Sequence, residues 1–134
     1  MAVVLDSDAV VGFLDRNDAL HDAADKAIRD LLGKDRLLAS VVTYAEVLTG
    51  ARLGRHDEHE VKGFFSDLIS EVLPVDVDVA DMAADLRSRR KSLRMPDAMI
   101  LATAQIQPEV GLVLTGDQEA AKVRGLTYKV QLLR

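Results

Sequence analysis

Four carboxylates, Asp6, Glu46, Asp97 and Asp117, stand where an apolar stretch ends or where a helix is expected to begin. In a sheet of parallel strands such positions meet at one crevice, which is where ligands bind in open α/β folds. Carboxylates gathered in one place repel one another and resist ionisation unless a cation compensates their charge. Their oxygens are the ligands that hard divalent cations prefer. The sequence therefore predicts a metal site formed by these four residues.

Each of these acids also has a purely structural explanation. Asp6 and Asp117 are suited to capping helix N-termini, and Asp97 in a first helical turn complements the helix dipole. Thr43 and Glu46 have the spacing of a capping box, which predicts that a helix begins at this point. We favour the metal site because Ser, Thr or Asn would cap a helix equally well, without placing acids at one edge of a sheet.

The apolar pattern alternates strands with helices, and this alternation positions the acids. It implies a central, mainly parallel sheet of four or five strands with helices on both faces. If the first and fourth strands are neighbours, Asp6 and Asp117 face each other across the crevice. Pro74 cannot donate to a neighbouring strand, so the third strand is expected at an edge. The predicted strands are Val3–Leu5, Leu37–Ala39, Val72–Val75, Leu112–Leu114 and Tyr128–Leu132, and the predicted helices follow Asp6 and span about Leu20–Leu31, Tyr44–Arg52, Val61–Ile69, Val79–Leu93, Ala98–Ile106 and Asp117–Val123.

Composition limits the classes of protein that need to be considered. A length of 134 residues fits one domain, residues 1–134, and 49% hydrophobic with 29% charged residues is an ordinary globular composition. The net charge of -5 disfavours a broad nucleic-acid-binding surface, so any such contact must be local. Cysteine is absent, and no apolar run approaches the length of a membrane span. We expect a soluble cytoplasmic protein without a thiolate metal site.

Four short segments carry a family resemblance: Val3–Ser7, Thr43–Glu46, Met95–Ala104 and Val113–Asp117. Their order and spacing resemble those of PIN-domain nucleases, and most closely those of VapC-type toxins. The first segment is a weak signal by itself, whereas Pro-Asp-Ala downstream of Thr-x-x-Glu is fairly specific. The resemblance extends over nearly the whole chain and implies a three-layer α/β/α PIN-like fold.

The resemblance also implies a function, namely metal-dependent hydrolysis of RNA by an endoribonuclease that is the toxin of a type II toxin–antitoxin pair. Asp6, Glu46, Asp97 and Asp117 are carried over as catalytic residues and as ligands of Mg²⁺, or of Mn²⁺, with the hydroxyl of Thr115 beside them. A homodimer and a cognate VapB-type antitoxin are implied as partners. The chemistry agrees, because a carboxylate-held cation activates water and polarises a phosphoryl oxygen without a protein nucleophile.

Asp8 departs from the family pattern, which more often has a small polar residue there. It is either a fifth ligand or an exposed acid at a helix start, and we expect the latter because a first-turn acid is stabilising by itself.

A basic run precedes Asp97 and is a candidate RNA contact. Arg87, Arg90 and Arg94 are the candidates, and a spacing of seven residues predicts that Arg87 and Arg94 share one helical face. The alternative is a solvated helix face, which is the usual role of charged runs. We expect the three histidines, His21, His56 and His59, to be surface residues.

Two other functions compete with the nuclease. The Asp-x-Asp at Asp6 and Asp8 resembles the opening motif of haloacid-dehalogenase-like phosphatases, in which both acids are essential. That reading leaves Glu46 and Asp97 unexplained, and it predicts that Asp8→Asn abolishes turnover, whereas the nuclease reading predicts tolerance. A non-catalytic RNA-binding module would retain the fold and would leave RNA uncut in the presence of Mg²⁺.

Overall fold

The computed structural model describes all residues from 1 to 134. Strands and helices alternate along most of the chain, as predicted, and none of the helices has the length and apolar character needed to cross a lipid bilayer. The elements are β1 (Ala2–Leu5), α1 (Ser7–Leu14), α2 (His21–Leu31), β2 (Arg36–Ser40), α3 (Val41–Arg52), α4 (Glu58–Asp67), β3 (Glu71–Leu73), α5 (Val77–Arg89), α6 (Met95–Ile106), β4 (Val110–Thr115), α7 (Gln118–Ala121) and β5 (Lys129–Leu132).

The five strands form one parallel sheet in the order β3-β2-β1-β4-β5. The first and fourth strands are neighbours, as the crevice prediction required, with Val4 opposite Val113. β3 lies at an edge, as predicted, although Pro74 follows the strand and is not part of it. The strand order reverses between β1 and β4, so a crevice opens beyond their carboxyl ends.

Two hydrophobic cores cover the two faces of the sheet. Val3 and Leu5 pack towards α1 to α4, while Ala2 and Val4 pack towards α5 and α6. This division follows from the two-residue period of a strand, in which successive side chains point to opposite faces. The predicted three-layer α/β/α architecture is confirmed.

The capping box predicted for Thr43 and Glu46 is wrong. Helix α3 begins at Val41, and the hydroxyl of Ser40 caps it by accepting a hydrogen bond from the amide of Val42 at 3.1 Å. Thr43 is therefore inside the helix and fully buried. The physical reason is that no loop separates β2 from α3, so Ser40, the last residue of the strand, occupies the capping position. The Glu46 side chain is consequently free for another role.

The predicted helix from Val79 to Leu93 ends earlier, at Arg89, and a separate helix begins at Met95. Pro96 occupies the first turn of that second helix, where its missing N–H costs nothing, whereas it could not continue the preceding helix. Leu93 is thus a buried loop residue. The prediction that Arg87 and Arg94 share a helical face is wrong, because they belong to different segments.

Candidate active site

Asp6 lies immediately after β1 and is 5% exposed. One carboxylate oxygen accepts a hydrogen bond from the Ser7 amide at 2.7 Å, and the other accepts one from the Thr115 hydroxyl at 2.6 Å. Burial is the main cause that raises the pKa of Asp6 from 3.8 to about 7; the charges of Asp8 and Asp97 act in the same direction, while the hydrogen bonds from Thr115 and Ser7 act in the opposite direction. The fold therefore holds this carboxyl group where ionisation is costly, which is typical of functional sites.

Asp8 belongs to the same cluster, which corrects the expectation of an exposed acid. It is half-buried, and its Oδ2 accepts a hydrogen bond from the Gly116 amide at 2.9 Å. Its Oδ1 is buried and has no hydrogen-bond partner. Burial raises the pKa of Asp8, and the charges of Asp117 and Asp97 contribute to the increase. A Cβ at position 116 would overlap Leu20 Cδ1 and lie 2.9 Å from Asp8 Oδ2, so both side chains would have to shift for any residue larger than glycine.

Glu46 reaches the cluster from α3 through a residue that sequence reasoning missed. The Ser7 hydroxyl donates a hydrogen bond to Glu46 Oε1 at 2.6 Å, and Glu46 is half-buried. Ser7 also donates the amide hydrogen bond to Asp6, so one residue fixes two of the predicted acids. The only signal in the sequence was its position directly after Asp6, at the first residue of α1.

Asp97 lies in the first turn of α6 and is buried, and it is paired with Arg94. The Arg94 guanidinium donates to both carboxylate oxygens, with Nε at 3.0 Å from Oδ2 and Nη2 at 3.4 Å from Oδ1. The two side chains differ in exposure, at 74% for Arg94 and 9% for Asp97. The hydrogen bond with Asp97 raises the pKa of Arg94 further above its usual range. A solvent-exposed cation therefore covers one of the predicted metal ligands.

Asp117 and Thr115 come from the end of β4 and are linked to each other. The Asp117 amide donates to the Thr115 hydroxyl at 3.0 Å, and Asp117 Oδ1 accepts from the Glu119 amide at 2.9 Å. Asp117 thus caps α7, the structural role considered for it, while its charge also acts on Asp8. Capping leaves one carboxylate oxygen of Asp117 without a role in the helix.

The carboxylates lie at one edge of the sheet but do not close around a common point. No group of three or more His, Asp or Glu side chains is arranged closely enough to hold a metal ion directly. Mg²⁺ does not require such a group, because it commonly takes one or two carboxylates and keeps several of its waters. The all-oxygen donor set and the unpartnered Oδ1 of Asp8 fit a hydrated ion of this kind.

The other residues considered in the sequence analysis are two candidate RNA-binding arginines and the three histidines. Arg90 pairs with Glu119 at 2.8 Å, and Arg87 donates to the backbone carbonyl of Leu93 at 2.7 Å, which ties Arg87 to the loop before α6. His59 is exposed as predicted. The other two histidines are partly exposed, and a ring nitrogen of His21 lies 2.8 Å from the Gly12 carbonyl oxygen.

The sequence profile of the PIN domain matches residues 3–126, which is nearly the whole chain. The chain belongs to the PIN domain family. In this fold, two strand ends and two helices supply the acids of the crevice. Family membership favours the nuclease reading over the haloacid-dehalogenase-like phosphatase. Comparison with curated proteins gives no match.

Solved structures of toxin–antitoxin proteins share the fold of this PIN domain. VapBC2 from Rickettsia felis, bound to a DNA fragment from its promoter, superposes with a TM-score of 0.78 at 11% identity over 100% of both chains. VapBC-5 from Mycobacterium tuberculosis is 28% identical, with a TM-score of 0.65 over 99% of this chain and 98% of its own. VapC20 from the same organism, a sarcin–ricin loop-cleaving toxin, gives 0.65 at 16% identity over 83% and 86%. The predicted resemblance to VapC-type proteins is confirmed.

Proposed function

We propose that this PIN domain is a metal-dependent endoribonuclease and the toxin of a type II toxin–antitoxin pair. The observation that carries the proposal is the buried Asp6, held by Thr115 and Ser7 beside the charges of Asp8 and Asp97. A stable core has no use for such an arrangement, because ionising a buried carboxylate next to others is costly. A bound cation would offset that cost.

Asp6, Asp97, Glu46 and Asp117 are the proposed ligands of Mg²⁺ or Mn²⁺, directly or through water, and Asp8 joins them through its unpartnered oxygen. When bound, the ion supplies a Lewis acid for the phosphoryl oxygen and a water of lowered pKa for hydrolysis. The protein supplies preorganisation, since short hydrogen bonds orient its acids before substrate arrives.

Two hydroxyl groups perform that orientation. Thr115 donates to Asp6 and accepts from the Asp117 amide, so it fixes the end of β4 against the end of β1. Ser7 donates to Glu46 and thereby ties α3 to the start of α1. Both act as positioning residues for the carboxylates.

Arg94 is the cation nearest to the acids and is well placed to meet a phosphate. Its side chain contacts Asp97 directly but is itself 74% exposed, so its guanidinium is accessible to a ligand from solvent. A phosphate oxygen can therefore reach this group, and arginine binds phosphate well through paired donors.

An antitoxin partner is part of the proposal, supported by solved structures in which toxin-like chains occur in toxin–antitoxin complexes. An apolar hollow of about 330 Å³ between α1 and α4 offers a surface for such a partner, lined in part by Phe13, Leu14, Phe64 and Leu68. A homodimer completes the proposed assembly, and measurement of molecular mass in solution tests it.

The direct test is incubation of the purified protein with varied RNAs and Mg²⁺ or Mn²⁺, followed by analysis of the product ends. Cleavage is expected with metal and is expected to be lost with EDTA, in Asp6→Asn and in Asp97→Asn. Asp81→Asn on the exposed side of α5 is the matched control, because it removes one charge far from the cluster. RNA that binds and stays uncut under every condition would support a non-catalytic module instead.

A further inference from the structure

A hollow lined by cations lies between the C-terminal end of α5 and the segment after α7. Its volume is about 410 Å³, and its lining contains four basic residues and no carboxylate. The hollow around Arg16 and Arg55, by contrast, also contains three acids. Such a concentration of positive charge is unusual in a chain whose net charge is -5. The lining residues are Leu86, Arg89, Arg90, Lys122, Val123 and Arg124.

The charges around this cationic hollow do not cancel. Glu119 serves both Arg90, at 2.8 Å, and Lys122, at 3.7 Å. Arg124 is exposed and has no carboxylate within ion-pair distance. Because one acid is shared by two cations and another cation is unpaired, the hollow keeps a positive potential.

The shape of the hollow is built by specific backbone contacts. Arg89 donates from Nη1 to the carbonyl oxygen of Arg124 at 3.3 Å, and its Nη2 pairs with Asp85 at 3.0 Å. Gly125, which adopts a φ of +80°, allows this approach, since a Cβ there would lie 2.9 Å from Nη1. The turn that carries Arg124 is thus held against the end of α5.

The cationic hollow adjoins the acidic cluster through Glu119. This residue binds Arg90 by its side chain, and its amide donates to Asp117 Oδ1 at 2.9 Å. Acids at the cluster repel an approaching polyanion, so a neighbouring cationic surface is needed to hold one.

We infer that the cationic hollow binds backbone phosphates of single-stranded RNA next to the phosphodiester at the acidic cluster, an inference that rests on the proposed function. Guanidinium and ammonium groups bind phosphate by charge-assisted hydrogen bonds, which do not depend on base sequence. A protein partner is a poorer fit, because only Leu86 and Val123 give the lining apolar character.

The test uses the exposed cations, Lys122 and Arg124, because Arg89 and Arg90 also hold structure. The double variant Lys122→Gln/Arg124→Gln is compared with Lys34→Gln/Lys129→Gln, which makes the same charge change. Lys34 precedes β2 and Lys129 begins β5, so both lie at the amino ends of strands, whereas the acidic cluster lies at the carboxyl ends. Both lysines are exposed. Melting curves verify that both variants are folded.

Binding of a fluorescein-labelled single-stranded RNA of mixed sequence is measured without metal, in the Asp6→Asn background. Affinity is measured between about 50 and 200 mM salt. The hollow variant is expected to bind RNA on the order of tenfold more weakly, and its slope of log binding constant against log salt concentration is expected to be smaller in magnitude by about 1.4, because two phosphate contacts are lost. The control is expected to keep the parent values. Cleavage by the same double variants without Asp6→Asn is measured with Mg²⁺ present.

Equal affinities and equal salt slopes for the hollow variant and its control would overturn the inference, even if the parent cleaves RNA. Loss of antitoxin binding without loss of RNA binding would overturn it as well, and would assign the hollow to a protein. Failure of the parent to cleave RNA with Mg²⁺ would count against the proposed function instead. RNA affinity that still depends on the hollow in that case would support RNA binding there without catalysis.

Discussion

Replacing Asp6 by Asn is expected to stabilise the metal-free protein at about pH 8, although the residue lies at the centre of the proposed site. Burial raises its pKa from 3.8 to about 7, with Asp8 as the next cause. The folded protein therefore binds more protons than the unfolded chain between about pH 4 and pH 7. Stability contributed by protonated Asp6 is present at low pH and is lost as the pH rises through that window. Asn carries no charge and removes this dependence.

The expected change in the free energy of unfolding follows from the pKa shift of Asp6. A change from 3.8 to about 7 corresponds to roughly 4 kcal/mol of unfavourable free energy for the charged, buried group. Part of this gain is lost, because Asn has one acceptor oxygen where the carboxylate has two, and its NH2 group cannot accept the hydrogen bond from either the Ser7 amide or the Thr115 hydroxyl. A net gain of about 2 kcal/mol is expected, which is about 8 °C in melting temperature for a domain of this size.

The assay is thermal unfolding in EDTA across about pH 5 to pH 8. The parent is expected to lose stability towards the upper end, and Asp6→Asn to show a flatter profile. Asp81→Asn on the exposed side of α5 is the control and should follow the parent within a few tenths of a kcal/mol. A lower melting temperature for Asp6→Asn at about pH 8, or a slope equal to that of the parent, would refute the reasoning.

Three further predictions test the cluster. Saturating Mg²⁺ or Mn²⁺ should stabilise the parent by about 2.7 kcal/mol at a hundredfold excess over Kd and thereby raise its melting temperature, and an equal rise in Asp6→Asn would contradict the ligand assignment. Arg94→Gln should tighten metal binding in calorimetry, because it removes the cation that pairs with Asp97; weaker binding would argue against competition between Arg94 and the metal. Gly116→Ala should cost about 1–3 kcal/mol in urea unfolding, because its Cβ meets the side chains of Leu20 and Asp8, and an unchanged midpoint would contradict this close packing.

The sheet was predictable because strand runs are short, apolar and bounded by helix-starting residues. Pro74 indicates an edge strand from local sequence alone. The pairing of β1 with β4 is only a condition in the sequence argument, and the structure supplies it. Helix boundaries were less predictable. Ser40 and Thr43 are both good caps, and the choice between them depends on where β2 ends, which the sequence pattern does not determine.

The individual contacts of the site were also beyond prediction. Asp8 looked like an exposed first-turn acid, but the return of β4 places the Gly116 amide against it. Ser7 and Glu46 are 39 positions apart, so nothing local links them. A spacing of seven residues predicts one helical face for Arg87 and Arg94, but α5 ends at Arg89 and the loop before α6 separates them. Such contacts depend on tertiary packing.

The Thr115 hydroxyl and the Asp6 carboxylate, which meet across the central strands, are separated by 109 positions of sequence. A nascent polypeptide therefore contains Asp6 well before the residue that orients it has been synthesised. Under the proposed function, the acidic cluster is assembled only after the segment that carries Thr115 has docked. An antitoxin of the kind proposed would then have that interval in which to reach the chain before its site is complete.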